Sequence, residues 1–242
     1  MSNYDVWDKN WLKKHEPSVH RELVSLIKHY SPGKKILEIG YGSGGDLSFL
    51  KGIGFESWGL EKSKVAYNLS IQHGNFNAVL GNGERTHFRD KEFDLIFHQG
   101  VLEHFKSPTK LVSEQSRILK ENGVIVMDVP HKWNLFTLYK KVYQLFGRWY
   151  GGWERSYSAS ELKNLIEPLG FETIIITYRG IWPHRWGKFL FPKQILKRKW
   201  VGKIIKTFPV NVIQNSAKKI YDSCELVRLV SSHNIIIVAR KK

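Results

Sequence analysis

Sulfur is nearly absent from this chain: its 242 residues include one cysteine, Cys224, and two methionines. A single thiol excludes an intramolecular disulfide framework and any zinc site built from cysteines. Long apolar runs are missing as well, and none approaches the roughly 18 residues that span a bilayer. The amino terminus, MSNYDVWDKN, carries two acids and no apolar stretch, so no secretory signal is expected and the cytoplasm is the expected compartment. There is no internal repeat and no low-complexity tract. Acid is also scarce, with 22 Asp and Glu against 38 Lys and Arg and a formal charge of +16.

What is present is an ordinary globular mixture, 42% hydrophobic and 25% charged, sized for one domain with insertions. Its basicity is uneven. Residues 178–242 hold fifteen Lys or Arg and two acids, Asp222 and Glu225, a net +13. The first 177 residues therefore carry only +3. Nine tryptophans are an excess too, and all except Trp58 lie outside the segment that reads as the core.

Trp7, Trp11, Val19, Leu23, Leu26 and Ile27 stand at near-helical spacing, which predicts an N-terminal helical extension over residues 1–33, ended by Ser31-Pro32-Gly33. Strands and helices then alternate. KKILEIG, FESWGLE, FNAVLG, FDLIFHQG and GVIVMDVP read as strands, with helices through Leu47–Lys51, Lys64–Gln72 and Pro108–Leu119. Such alternation predicts a doubly wound, mostly parallel sheet with helices on both faces. After Pro130 the pattern breaks. Ser158-x-x-Glu161 is a capping box opening another helix, FETIIIT is a strand, and NIIIVA is a last strand expected to run antiparallel at or near an edge. The remainder falls into two insertions, 131–157 and 178–232, within a unit spanning 34–242.

Gly40, Gly42 and Gly44 follow the first strand and precede a helix, where backbone N–H groups can approach a ligand at the switch point of the sheet. Gly40, Gly42 and Gly45 also satisfy the dinucleotide spacing, and Glu61 at the end of the second strand suits the ribose of either kind of cofactor. Three features separate the two. Glu38 is a carboxylate inside the first strand, suited to the ammonium and sulfonium of S-adenosylmethionine. The third strand ends in the polar turn Gly81-Asn82-Gly83-Glu84, and the fourth reads FDLIFHQGVLEHF.

Taken in order, ILEIGYGSG, GLE, GNGE, FDLIFHQGVLEHF and ILKENGVIVMDVP resemble the successive motifs of class I S-adenosylmethionine-dependent methyltransferases, most closely the type 11, ubiquinone-pathway-like branch that acts on small molecules. The resemblance implies the Rossmann-like methyltransferase fold and S-adenosyl-L-methionine as cofactor. It further implies that Glu38, Gly40, Tyr41, Gly42 and Gly44 surround the methionine moiety, that Glu61 binds the ribose diol, and that Asn82 and Gly83 hold the adenine. His98 would line the methionine side. Two departures stand out. Asn82 occupies a position where an aspartate is common, and Gly100 replaces the first carboxylate of a Glu-x-x-Glu-His pattern, so no metal is expected.

Methyl transfer from a sulfonium is an in-line displacement with a good leaving group, so most of the catalysis is alignment. A hydroxyl acceptor must also lose a proton, for which a histidine is suited. His104 and His131, just past the fourth and fifth strands, are the candidates. Cys224 lies outside every motif, which argues against a cysteine nucleophile, and no Asp/Asn-Pro-Pro-aromatic loop follows the fourth strand.

In the resembling family, insertions at these two places form the acceptor lid. Here the first contains KWNLFTLYKKVYQLFGRWYGGWERSY, and the second contains the basic amphipathic run KQILKRKWVGKIIK. Basic amphipathic segments with tryptophan lie in membrane interfaces, each cation adding about 1 kcal/mol against an anionic leaflet. The expected acceptor is a small molecule, hydrophobic or lipid-linked, with O-methylation favoured and an anionic membrane surface contacted through 131–157 and 178–210. A lid packed only on the domain is the equal alternative for these insertions. For the function, the alternatives are an RNA methyltransferase using the basic region and a catalytically silent protein that binds through it.

Overall fold

A computed structural model describes residues 11, 17–73, 75–146, 153–181, 229 and 231–242. The elements are α1 (Arg21–Tyr30), β1 (Lys35–Ile39), α2 (Gly45–Gly52), β2 (Glu56–Glu61), α3 (Lys64–His73), β3 (Asn77–Leu80) and β4 (Phe93–Gln99). A 3-10 turn (Leu102–His104) leads to α4 (Pro108–Ile118), β5 (Leu119–Pro130), α5 (Leu135–Leu145), α6 (Ala159–Ile166), β6 (Phe171–Ile181) and β7 (Ser232–Lys241).

Seven strands form one sheet in the order β3-β2-β1-β4-β5-β7-β6. The first five are parallel, and β7 runs antiparallel between β5 and β6. This is the expected α/β, Rossmann-like arrangement. The last strand lies one position in from the edge, because β6 pairs with it outward and becomes the edge itself. β6 also extends to Ile181, opposite Ser232, beyond the Thr177 end read from the sequence.

Alternation along the parallel strands sorts the core into two layers. Ile36, Leu95, Phe97, Val124 and Val126 face Leu23 and Ile27 of α1 and Leu47 and Leu50 of α2. Leu37, Ile39, Ile96, Ile125 and Met127 face Leu111 and Val112 of α4 and Leu162 and Ile166 of α6. Within the expected helical extension Trp11 is helical, residues 17–20 have no regular structure, and α1 begins at Arg21; the other residues before 17 lie outside the described ones. Pro17 lacks the N–H that a continuing helix would need.

Two helices after β5 carry side-chain caps. Asn134 Oδ1 accepts the Thr137 N–H at 2.7 Å to cap α5, while its Nδ2 donates to the carbonyls of His131 and Ser232 at 2.9 and 2.7 Å. The Ser158–Glu161 capping box opens α6 as predicted, and such a cap stabilises a helix by about 1 kcal/mol. The run KQILKRKWVGKIIK, the Gly151-Gly152 pair and Cys224 lie outside the described residues. No helix among the described residues is long and apolar enough to cross a membrane.

Candidate active site

Strand order reverses between β1 and β4, and a crevice opens at the carboxyl ends of strands on either side of such a switch point. A cavity of about 840 Å³ lies there. Its wall includes Glu38, Gly40, Tyr41 and Gly42 of the glycine loop region, Glu61 at the end of β2, and Gly81 and Gly83. Gln99, Gly100 and His104 close the side beyond β4.

Gly40, Gly42 and Gly44 have φ of 70°, 54° and 71°, left-handed values that a side chain disfavours. Glu61 ties this loop to β2. Its Oε2 accepts the Gly42 N–H at 3.1 Å, and its Oε1 accepts the N–H groups of Lys62 and Ser63 at 2.8 and 2.9 Å. Glu38 contrasts with it. It is buried on the wall and its Oε2 has no hydrogen-bond partner. Burial, reinforced by the charges of Asp46 and Glu61, pushes its pKa well above the usual carboxylate range. A buried, unsatisfied acid is costly alone and is relieved by a cationic ligand.

The other predicted residues divide. Tyr41 borders the cavity, but its ring packs edge-on to Phe76 at 5.1 Å and its hydroxyl shares a 2.9 Å hydrogen bond with Ser70. Burial raises its pKa further, so it stays neutral. Asn82 is not among the wall residues. Its Oδ1 accepts the Glu84 N–H at 3.1 Å, shaping the turn that presents Gly81 and Gly83. His98 is fully buried beside Ile96, neither ring nitrogen has a partner, and burial drives its pKa down to about 3. The strand alternation puts Gln99 on the cavity instead, with its Oε1 unpartnered. That position was legible in the pattern, since Leu95, Phe97 and Gln99 share a face.

The two candidate bases also part. His104 is on the wall, half-buried, with Nδ1 3.4 Å from the Trp153 carbonyl of the first insertion. His131 is buried, its ring centroid 5.0 Å from that of Tyr178, and it is not among the wall residues. Burial lowers the pKa of both. Asp128, in β5, is held by Asn234 at 2.5 Å and by an ion pair with Arg179, a structural pairing across three strands.

Several residues at or near the site were not among the predicted ones. Glu103 is buried beneath the 3-10 turn with Oε2 unpartnered, and burial, with Glu154 and Asp128 nearby, raises its pKa to about 8. Trp11, Ser18 and His20 contribute to the wall from before α1. Among the described residues, no group of three or more His, Cys, Asp or Glu side chains is arranged to hold a metal ion.

The wall holds four acids, Glu38, Asp46, Glu61 and Glu84, against two lysines, Lys62 and Lys106, in a chain of net charge +16. Acid at the floor and end, glycines at the turn and a free Gln99 oxygen fit S-adenosylmethionine, whose methionine end bears an ammonium and a sulfonium. Fold and site thus define an S-adenosylmethionine-dependent methyltransferase of class I.

Comparison with known proteins agrees. The family model for a methyltransferase domain matches residues 14–175, and the chain belongs to that family. An uncharacterized protein of Methanocaldococcus jannaschii is 28% identical over 176 residues, covering 72% of this chain and 80% of its own. A probable S-adenosylmethionine-dependent methyltransferase of Mycolicibacterium smegmatis is 25% identical over 67% of this chain, which spans 59% of that relative. In fold, the chain matches a Thermotoga maritima SAM-dependent methyltransferase, described as a possible histamine N-methyltransferase. That match has a TM-score of 0.64 at 16% identity and covers 99% of this chain and 100% of the other. The chain is therefore an enzyme of this class, which sets aside the silent-protein alternative.

Proposed function

We propose that the enzyme methylates a hydroxyl oxygen of a small hydrophobic or lipid-linked molecule taken from an anionic membrane surface. One observation carries the reading. His104, on the cavity wall, meets the Trp153 carbonyl of the first insertion, and that insertion turns a row of apolar side chains to solvent. The residue suited to take a proton and the surface suited to meet a lipid thus belong to one continuous structure.

S-adenosylmethionine, when bound, supplies an electrophilic methyl group. The chain's own part is to hold and orient. Glu61 is the residue for the ribose hydroxyls, the Gly40–Gly44 loop with Glu38 for the methionine end, and the Gly81–Gly83 turn for the adenine. His104, kept neutral by burial, accepts the acceptor's proton as the oxygen attacks. Val101 and Phe105, wall residues flanking His104, suit an apolar acceptor body.

The test is transfer of labelled methyl from S-adenosylmethionine to prenylated phenols, lipid-linked sugars and amines, with and without anionic vesicles. The expected result is methylation of a hydroxyl acceptor, stimulated by anionic vesicles and lost in His104→Ala while cofactor binding persists. Transfer to amines alone would overturn the choice of acceptor atom. Transfer to RNA would favour the alternative that the net charge of +13 in residues 178–242 supports.

A further inference from the structure

Three wall residues come from before α1: Trp11, Ser18 and His20. None belongs to the motifs that carry the family resemblance, yet each meets the glycine loop or the helix it opens. A Cβ added at Gly42 would fall 2.5 Å from Trp11 Cη2, so the indole lies directly against the loop. A Cβ at Gly45 would collide with the Ser18 carbonyl. His20 is fixed twice: its backbone N–H donates to Asp46 Oδ1 at 2.6 Å, and its Nδ1 meets Asp46 Oδ2 at 2.7 Å.

Asp46 sits in the first turn of α2 and is 4% exposed. A carboxylate there is favoured by the helix dipole, and charge-assisted hydrogen bonds are short and strong. Both of its oxygens are engaged by one residue. This leaves His20 with a fixed ring on the wall of a cavity whose floor is Glu38. The glycines at positions 42 and 45 have a second reason to lack side chains. A side chain at either would strike Trp11 or the Ser18 backbone.

We propose that Trp11 and His20 are cofactor-binding residues, the indole forming an aromatic wall over the glycine loop for the sulfonium nucleoside, with Asp46 as the positioning residue that holds His20. The proposal rests on the cofactor assignment above. Aromatic surface suits both an adenosyl group and a cation, through stacking and the ring quadrupole. The competing explanation is packing alone, in which these contacts stabilise the fold and the cofactor never touches them.

The two explanations differ in binding. S-adenosylmethionine is titrated by calorimetry into the full chain and into Trp11→Ala, Trp11→Phe, His20→Ala and Asp46→Asn, with the melting temperature of each measured free of ligand. The expected result is an affinity about tenfold lower for Trp11→Ala and largely restored in Trp11→Phe, as for loss and return of one aromatic contact. His20→Ala and Asp46→Asn weaken binding with Trp11 intact. Affinities of Trp11→Ala and His20→Ala within twofold of the parent overturn the proposal, whatever their melting temperatures. A loss that phenylalanine does not restore also overturns it.

A spectroscopic readout covers variants that fold poorly. In protein carrying 5-fluorotryptophan, the Trp11 fluorine signal is identified by its absence in Trp11→Phe. It is expected to shift when S-adenosylmethionine binds the parent. An unmoved Trp11 signal in the saturated parent overturns the proposal. Failure of the parent to bind at all would instead strike the cofactor assignment.

Discussion

The cavity and the lid helix treat charge in opposite ways. At the cavity, buried acids stand open, bonded to backbone or paired with a histidine: Glu38 has a free oxygen, Glu61 holds three N–H groups and Asp46 holds His20. On α5 the ordinary arrangement is inverted, with Lys140 1% exposed and Leu145 83% exposed. Lys140 Nζ is 2.8 Å from Glu154 and donates to Ser156 Oγ at 2.7 Å. Leu138, Val142 and Phe146 share the outward side with Leu145. The Glu38 carboxyl at the cavity has an oxygen left for a ligand, whereas the buried charge of α5 is already satisfied. The lid's open requirement is apolar.

That contrast is broken most directly at Lys140. Removing one member of a buried ion pair leaves the other uncompensated and costs about 3–5 kcal/mol. Lys140→Met should therefore lower the melting temperature by roughly 6–20 °C, at about 2–4 °C per kcal/mol for a chain this size. Lys140→Met with Glu154→Leu should recover most of the loss, since two apolar groups need no partner. A single variant that melts like the parent would mean the pair is solvated and the lid is loosely held.

The second effect belongs to the cavity. Glu61→Ala removes the tie between β2 and the glycine loop together with the site for the ribose hydroxyls. Calorimetry should show S-adenosylmethionine affinity falling about a hundredfold, the scale of lost hydrogen bonds to a charged group. A loss below tenfold would leave the loop glycines, not the acid, as the source of affinity.

The cavity half was largely legible because its signals are local. Three glycines between a strand and a helix, and an acid at the end of the next strand, define the site within a short stretch of chain. The histidines were harder. His98 and Gln99 differ by one position, and only the alternation of β4 turns one inward and the other onto the wall. The side-chain pairings of the first insertion and of the segment before α1 were not legible. Lys140 reads as an interruption of an apolar surface until Glu154 and Ser156 fold back on it, and nothing near His20 announces Asp46. Such pairs are created by tertiary approach, which periodicity does not encode.

Glu103 lies where the two halves meet, its backbone carbonyl accepting the N–H of Arg155 at 2.9 Å. Its carboxyl faces Glu154, Asp128 and Lys140, and its pKa is raised from 4.5 to about 8 chiefly by burial. The folded state therefore holds a proton that the unfolded chain releases. The stability contributed by this group is complete below about pH 4.5 and is lost as pH rises through about 8. The parent should lose a few degrees of melting temperature over that interval, and Glu103→Gln, which is neutral throughout, should lose less. Parallel pH profiles for the two proteins would show Glu103 to be ionised and paired in the fold.

The smallest effect tests the lid's open face. Leu138, Val142 and Leu145 recur at helical spacing on the exposed side of α5, with Phe146 beyond them, Trp133 nearby and Lys141 among them. Each buried aliphatic side chain is worth about 1.5–3 kcal/mol if fully removed from water, and less when it enters only the headgroup boundary. Leu145→Asp should reduce co-sedimentation with anionic vesicles several-fold and leave S-adenosylmethionine affinity unchanged, since Leu145 is not a wall residue. Raised salt should weaken binding of both proteins through the basic residues, while the difference between them persists because it is apolar in origin. Equal sedimentation would assign any membrane attraction to charge alone. The outward leucines would then need a different apolar neighbour, and the inverted helix would no longer link the cavity to a lipid surface.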